Sequence, residues 1–138
     1  MTRNLRRVSA GELAEDKNGF MDVGRFAGSF VVEIGYRQAW PFLGICDNRP
    51  TPAQEARLYI DTAWRIEATS FVEGHADDDM AWLAAALDLI EGTINAARVD
   101  DDGSLLLTTG SGAVLAVSGE PDPTTIGEAW WLTGWRPA

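Results

Sequence analysis

The fold is decided by one stretch, Asp77-Asp-Asp-Met-Ala-Trp-Leu-Ala-Ala-Ala-Leu-Asp-Leu-Ile-Glu91, which has the clearest helical pattern of the chain. Aspartates at its start can cap free amide groups and favour the positive end of the helix dipole. Gly92 follows, and glycine is the usual residue just after a helix ends. The sequence therefore predicts a central helix over about residues 77–91.

This helix has two apolar faces, whereas a surface helix needs only one. At 100° per residue, one stripe contains Met80, Leu83, Ala84, Leu87 and Ile90, and the opposite stripe contains Trp82, Ala85, Ala86 and Leu89. One face should cover a sheet, and the other is either buried within the monomer or covered by another subunit. The second alternative predicts a homodimer through the face that carries Trp82 and Leu89.

The residues before the helix predict strands. Ser29 to Tyr36 is rich in Phe, Val and Ile and places Phe30, Val32 and Ile34 on one face. The prolines of residues 40–53 favour a loop or a broken edge segment. Residues 56–60 and 64–71 alternate in hydrophobicity around Asp61-Thr-Ala, which predicts a hairpin.

The residues after the helix predict four more strands, over 93–99, 104–109, 113–118 and 128–132. The turns Asp100-Asp-Asp-Gly103 and Gly110-Ser-Gly112 separate the first three of them. A short similarity between the stretches that start at Gly28 and Gly92 suggests an internal repeat. We therefore expect an α+β fold with a mainly antiparallel sheet, built from two three-stranded units in the order βββ-α-βββ-β.

The length of 138 residues fits one domain, which we expect over residues 21–138 after a flexible or loosely docked arm over residues 1–20. Ser9 and Glu12 could form a capping box for a short helix over residues 10–17 of this arm. A chain start at Met21 would leave the patterned domain nearly intact.

The chain carries 11 basic and 21 acidic residues, for a net charge of −10. This balance argues against nucleic acid as a partner, because a polyanion needs a basic face. No apolar stretch is long enough to span a bilayer, so we expect a cytoplasmic protein without a membrane partner. A single cysteine, Cys46, and a single histidine, His75, exclude an internal disulfide and a His-rich metal site.

No motif assigns a catalytic residue, a metal site or a cofactor. The Asp77 and Asp100 clusters lack the spacing of a calcium loop and are read as a helix cap and a turn. His75 could act as a general base if Glu73 or Asp77 positioned it. This leaves an alternative in which the protein binds or converts a small molecule in a pocket near His75.

The six tryptophans are more than a chain of this length usually has. Trp64, Trp82 and Trp130 lie in periodic elements, where packing is the common role. Trp131 and Trp135 could instead be exposed beside acidic side chains, a combination typical of binding hot spots, or could pack on the arm. The candidate binding residues are therefore Trp82, Leu89, Trp131, Trp135 and His75.

The segment Gly127-Glu-Ala-Trp-Trp-Leu-Thr-Gly134, with the preceding Asp102-Gly-Ser-Leu-Leu-Leu107 strand, resembles a family of small uncharacterised actinobacterial proteins. These proteins end in a Glu-Ala-Trp-x-Leu-x-Gly motif after two hairpins, which Glu128, Ala129, Trp130, Leu132 and Gly134 match. The resemblance implies a bacterial source and carries no activity.

The leading functional hypothesis is a non-catalytic protein-interaction module of the immunity or accessory type. Its acidic surface would bind an unidentified partner of basic charge, with fast and salt-sensitive association.

Overall fold

Two antiparallel sheets and an α-helix surround one hydrophobic core, which confirms the predicted α+β class. The computed structural model describes residues 7–9, 23–48, 54–90, 92–133 and 136–137. The strands are β1 (Arg7–Ser9), β2 (Phe30–Arg37), β3 (Trp40–Cys46), β4 (Gln54–Ile60), β5 (Trp64–Glu67), β6 (Phe71–Gly74), β7 (Ile94–Val99), β8 (Leu105–Thr109), β9 (Val114–Val117), β10 (Trp130–Thr133) and β11 (Arg136–Pro137). A short 3-10 turn covers Val23–Phe26, and the helix α1 covers Asp79–Ile90.

The strands divide between two sheets. Sheet A has the order β1-β10-β4-β3-β2, and β11 also pairs with β4; sheet B has the order β6-β5-β9-β8-β7. Alternate residues of both sheets point into the shared core, with Leu58 and Ile60 of β4 and Trp64 and Ile66 of β5 among them. The core therefore lies between the two sheets, and each sheet keeps an outer face.

The predicted hairpin around residues 61–63 is wrong. β4 pairs with β3 and β10 in sheet A, whereas β5 pairs with β6 and β9 in sheet B. The Asp61 amide donates to the Ala129 carbonyl and the Ser118 amide to the Ala63 carbonyl, so this segment carries the chain from one sheet to the other. Alternation identified the buried residues correctly, but it cannot specify which strand is the partner.

Residues 40–46 form a strand rather than the predicted loop or broken edge segment. β3 lies between β2 and β4, and its Leu43 and Ile45 side chains are fully buried. Pro41 faces Tyr36 of β2, but pairing with β4 begins only at Phe42. Proline is tolerated here because it lies at the start of the strand. Residues 49–53 lie outside the described residues.

The predicted strand over Ser29 to Tyr36 is confirmed, but its predicted face is wrong. The register of β2 shifts between Val31 and Glu33, which is a β-bulge. An extra residue in one strand changes which side chains point inward. Val31 is consequently buried, and Val32 is 48% exposed.

The predicted division into two three-stranded units is correct only for the second unit. β7, β8 and β9 form a meander, whereas the first meander consists of β2, β3 and β4 because β5 leaves for the other sheet. The two similar stretches meet in space: Phe30 bridges to Thr93, and the Gly28 amide donates to the Ile94 carbonyl. This contact joins β2 of sheet A to β7 of sheet B.

The helix packs its Trp82 face into the core. α1 lies against β2 and β6, and Trp82, Ala86 and Leu89 have no exposed surface. The Trp82 indole Nε1 donates to the Gly35 carbonyl at 3.0 Å, and its ring meets Trp64 edge-on at 5.3 Å. Since a fully covered side chain cannot contact a second chain, the predicted homodimer through this face is wrong.

Part of the predicted arm is a strand. Residues Arg7–Ser9 form β1, which pairs with β10 at the edge of sheet A. The rest of residues 1–20, the helix predicted over 10–17, and Met21 lie outside the described residues.

Candidate functional site

Four connections meet at one end of the two sheets. They join β4 to β5, β6 to α1, β7 to β8, and β9 to β10. The Thr62 hydroxyl donates to the Glu120 carbonyl at 2.6 Å, and the Thr125 hydroxyl donates to the Asp61 carbonyl at 2.5 Å. These bonds tie the longest connection, residues 118–129, to the segment that crosses between the sheets.

A buried indole fixes the β7–β8 turn at the same end. Trp130 Nε1 donates to the Gly103 carbonyl at 2.9 Å, and Gly103 adopts a φ of +86°, which favours glycine. Gly119 lies so close to this turn that a Cβ there would stand 2.3 Å from the Gly103 carbonyl carbon. Three of the connections are therefore packed and hydrogen-bonded to one another, and the β6–α1 connection joins them through a bond between His75 and Asp122.

Carboxylates are concentrated at this end, which we call the acidic end. Its members lie in the four connections, at the end of β6 and at the start of α1: Asp61, Glu73, Asp77, Asp78, Asp79, Asp100, Asp101, Asp102, Glu120, Asp122 and Glu128. Burial raises the pKa of the Tyr36 hydroxyl at the end of β2, and the charges of Asp79, Asp77, Asp61 and Asp78 raise it further. The negative charge of two connections and of the start of α1 therefore acts on the same hydroxyl.

Arg65 and Arg98 lie near carboxylates of this end, since they line one depression together with them. Arg98 pairs with Asp100, its Nε 2.9 Å from the carboxylate, and Arg37 ends β2 beside the turn to β3. Arg65 and Arg98 offset only part of the negative charge.

His75 lies at the acidic end, but its partner differs from the predicted Glu73 or Asp77. Its Nδ1 is 2.9 Å from Oδ2 of Asp122, a residue 47 positions away. This hydrogen bond raises the pKa of His75, although slight burial acts in the opposite direction. Partial burial acts to raise the pKa of Asp122, but hydrogen bonds from His75, Thr124 and Thr125 lower it to about 2.

A histidine oriented by a carboxylate can accept a proton, but it needs a substrate group or nucleophile within reach. Cys46 does not supply one, since it lies buried in β3 of sheet A and burial raises the pKa of its thiol. The hydroxyls of Thr124 and Thr125 do not supply one either, because both donate to Asp122. Among the described residues no group of three or more His, Cys, Asp or Glu side chains is placed to hold a metal ion.

The structure brings few of the predicted binding residues together. Trp82 and Leu89 belong to the core. Trp131 lies on the outer face of sheet A, where it stacks on Tyr59 at 5.5 Å and meets Trp40 edge-on at 5.2 Å; it is itself only 6% exposed. Trp135 lies outside the described residues, so His75 is the one predicted residue described at the acidic end.

Two surfaces were not found by sequence reasoning. One is a shallow depression of about 540 Å³ on the outer face of sheet B, lined by residues that include Arg65, Glu73, Arg98, Leu106 and Ala116. Alternation along each strand indicates which side chains point outward, but only the strand order shows that these side chains share a face.

The other surface is the exposed side of α1, where Met80 is 74% and Leu87 58% exposed. The sequence showed this stripe as apolar and did not show that it faces outward. Asp122 was missed because a contact between residues 47 positions apart leaves no local pattern.

Comparison with known protein families, with curated proteins and with solved structures found no match. Among the described residues no helix has the length and apolar character needed to cross a membrane.

Proposed function

We propose that the protein is a non-catalytic protein-interaction module that binds a basic partner through the acidic end. The observation that carries the proposal is the convergence of carboxylates from four connections on one end of the molecule. Such a field attracts cationic surfaces over a distance and accelerates association. Because the attraction is between exposed charges, it weakens as salt is added.

The packing of the connections supports this role. Asp61 uses its carboxylate to accept the Ile126 amide at 3.0 Å, and Asp122 accepts from His75 and two threonines. Internal bonds therefore hold the backbone, while Asp77, Asp101 and Glu128 remain exposed. A preformed surface loses little conformational freedom on binding, which favours affinity.

Neutralisation of exposed carboxylates tests this proposal. The variant Asp77→Asn/Asp101→Asn/Glu128→Gln removes three charges from the acidic end, and Glu33→Gln/Glu55→Gln/Glu67→Gln removes three charges from other strands. Both are probed with a short oligolysine peptide by fluorescence anisotropy at low and at physiological salt. We expect the first variant to bind several-fold more weakly than the second. Equal binding by both variants would contradict the proposal.

A second candidate is a small-molecule site near His75, favoured by one observation. The depression on sheet B extends to Glu73, two residues from the His75–Asp122 pair, and brings two arginines beside an apolar floor. Fragment screening by NMR tests this candidate. A fragment that shifts the amide signals of Arg65, Leu106 and His75 together supports it. If no fragment shifts the three signals together, the candidate is contradicted.

We propose a bacterial, cytoplasmic protein of the immunity or accessory type, similar to the small actinobacterial proteins that share the Glu128-Ala-Trp-x-Leu-x-Gly134 motif. In the structure, Trp130 of this motif is fully buried and bonded to Gly103, so this tryptophan has a packing role.

A further inference from the structure

The exposed face of α1 is an apolar stripe between two carboxylates. Met80, Ala84 and Leu87 follow one another at spacings of four and three residues, so they lie on one side of the helix over about 10 Å. At 100° per residue, Asp88 falls on one flank of the stripe and Asp79 on the other. All five residues are exposed.

This face has nothing over it in the described part of the chain. The opposite face makes the contacts with β2 and β6, and Leu83 and Ile90 are partly buried at the margin of the core. Large apolar side chains as exposed as Met80 and Leu87, placed together and rimmed by charge, are typical of a docking surface.

The negative charge beside the exposed face of α1 indicates which kind of partner could bind there. α1 contains no lysine or arginine, and its first turn borders Asp77 and Asp78 of the acidic end. A second copy of the same face would bring Asp79 and Asp88 against identical carboxylates, which is unfavourable. A segment with apolar side chains between lysines or arginines would satisfy both the stripe and its flanks.

We propose that α1 docks a cationic amphipathic helix of the partner protein along Met80, Ala84 and Leu87, with basic side chains on Asp79 and Asp88. Helix-on-helix packing suits this surface, because residues three and four apart on both helices form matching ridges and grooves. This inference rests on the proposed function, since it specifies the kind of basic partner that the acidic end attracts.

The probe is a synthetic peptide of about 18 leucine and lysine residues with leucines at helical spacing, long enough to be helical. A peptide of the same composition, scrambled so that no apolar face forms, is the control for charge alone. Binding of both peptides to the full chain is measured by isothermal titration calorimetry at physiological salt. We expect the amphipathic peptide to bind about tenfold more tightly than the scrambled one.

Matched variants locate the site. Met80→Ser/Leu87→Ser removes the stripe, whereas Ile126→Ser removes an apolar side chain that is 83% exposed on the 118–129 connection. We expect the first variant to lose the tenfold preference and the second to keep it. Asp88→Asn, compared with Asp101→Asn, tests the flank in the same way, and the larger loss should follow the change at Asp88.

The results separate this inference from the proposed function. If both peptides bind equally and Met80→Ser/Leu87→Ser binds like wild type, the helix-docking inference is overturned and the acidic end still binds basic chains. If neither peptide binds at low salt, the proposed function itself is overturned. Circular dichroism of each variant shows that the fold is intact before binding is compared.

Discussion

The two faces of α1 have similar hydrophobicity, but Trp82 and Leu89 are fully buried whereas Met80 and Leu87 are more than half exposed. The buried face contains the large ring of Trp82 beside Ala85 and Ala86, which leave room for neighbouring side chains. The exposed face contains flexible side chains and is flanked by Asp79 and Asp88. The buried and exposed faces therefore differ in shape and hydrogen bonding rather than in hydrophobicity.

The hydrogen bond of Trp82 is specific to the buried face. Its indole N–H reaches the Gly35 carbonyl in β2, and its ring packs against Trp64 in sheet B. One side chain thus connects the helix to both sheets. No residue on the other stripe has a polar group that could do so, because Met80, Ala84 and Leu87 carry no N–H or O–H donor in their side chains.

The largest difference in the free energy of unfolding is expected between substitutions of two leucines of α1. Leu89→Ala leaves a cavity in a fully buried site and should lower the free energy of unfolding by about 2–5 kcal/mol. Leu87→Ala removes a side chain that is mostly in water and should change it by less than about 0.5 kcal/mol. Urea denaturation measures both; equal losses would mean that the two faces do not differ as described.

A smaller effect is expected from the indole N–H alone. Trp82→Phe keeps an aromatic ring but leaves the Gly35 carbonyl without its donor, which should cost about 1–3 kcal/mol. Trp64→Phe removes a similar bond to the His75 carbonyl, but that carbonyl still accepts the Asp78 amide at 3.1 Å. Thermal unfolding should therefore show the larger loss for Trp82→Phe. A larger loss for Trp64→Phe would mean that the Trp64 hydrogen bond contributes more to stability than that of Trp82.

The smallest effect on the free energy of unfolding is expected from pH, through the His75–Asp122 pair beside α1. Asp122 has a folded pKa of about 2, below its ordinary 3.8, so its contribution is present above that value and is lost as pH falls toward 2. His75 has a pKa above its ordinary 6.5, so its contribution is present below 6.5 and is lost as pH rises through the raised folded value.

The pair should therefore stabilise the protein most between about pH 4 and pH 6.5, by no more than about 1 kcal/mol because the imidazole is exposed and screened. The measurement is the free energy of unfolding of wild type and His75→Ala from pH 3 to pH 9. A difference that stays constant from pH 3 to pH 9 would show that the His75–Asp122 pair does not contribute.

Local patterns predicted the elements of this fold well and their partners poorly. The helix, the turns at Gly103 and Gly112 and the strands between residues 93 and 133 were predicted from capping, glycine and alternation, all of which act between near neighbours in sequence. The crossing at residues 61–63 and the bulge at Val32 depend on distant strands, and a strand pattern does not encode its partner.

The residues of the candidate site were likewise predictable from local sequence, whereas their contacts with one another were not. The acidic residues and His75 were visible in the sequence, but their convergence depends on four connections coming to one end. The Trp82 face was a natural choice for a dimer because tryptophan is frequent in binding hot spots. In the structure Trp82 is buried in the core, and its bond to the Gly35 carbonyl has no sequence signal because the two residues are 47 positions apart.

The central claim is that the exposed face of α1, rather than its Trp82 face or the outer sheets, receives a basic partner. NMR titration of the isotope-labelled chain with the amphipathic leucine–lysine peptide tests it most directly. We predict that the largest amide shifts follow residues 77–88, with little change at Arg65, Leu106 or Ala116 on the outer face of sheet B. Shifts centred on that outer face, with residues 79–88 unchanged, would contradict the claim.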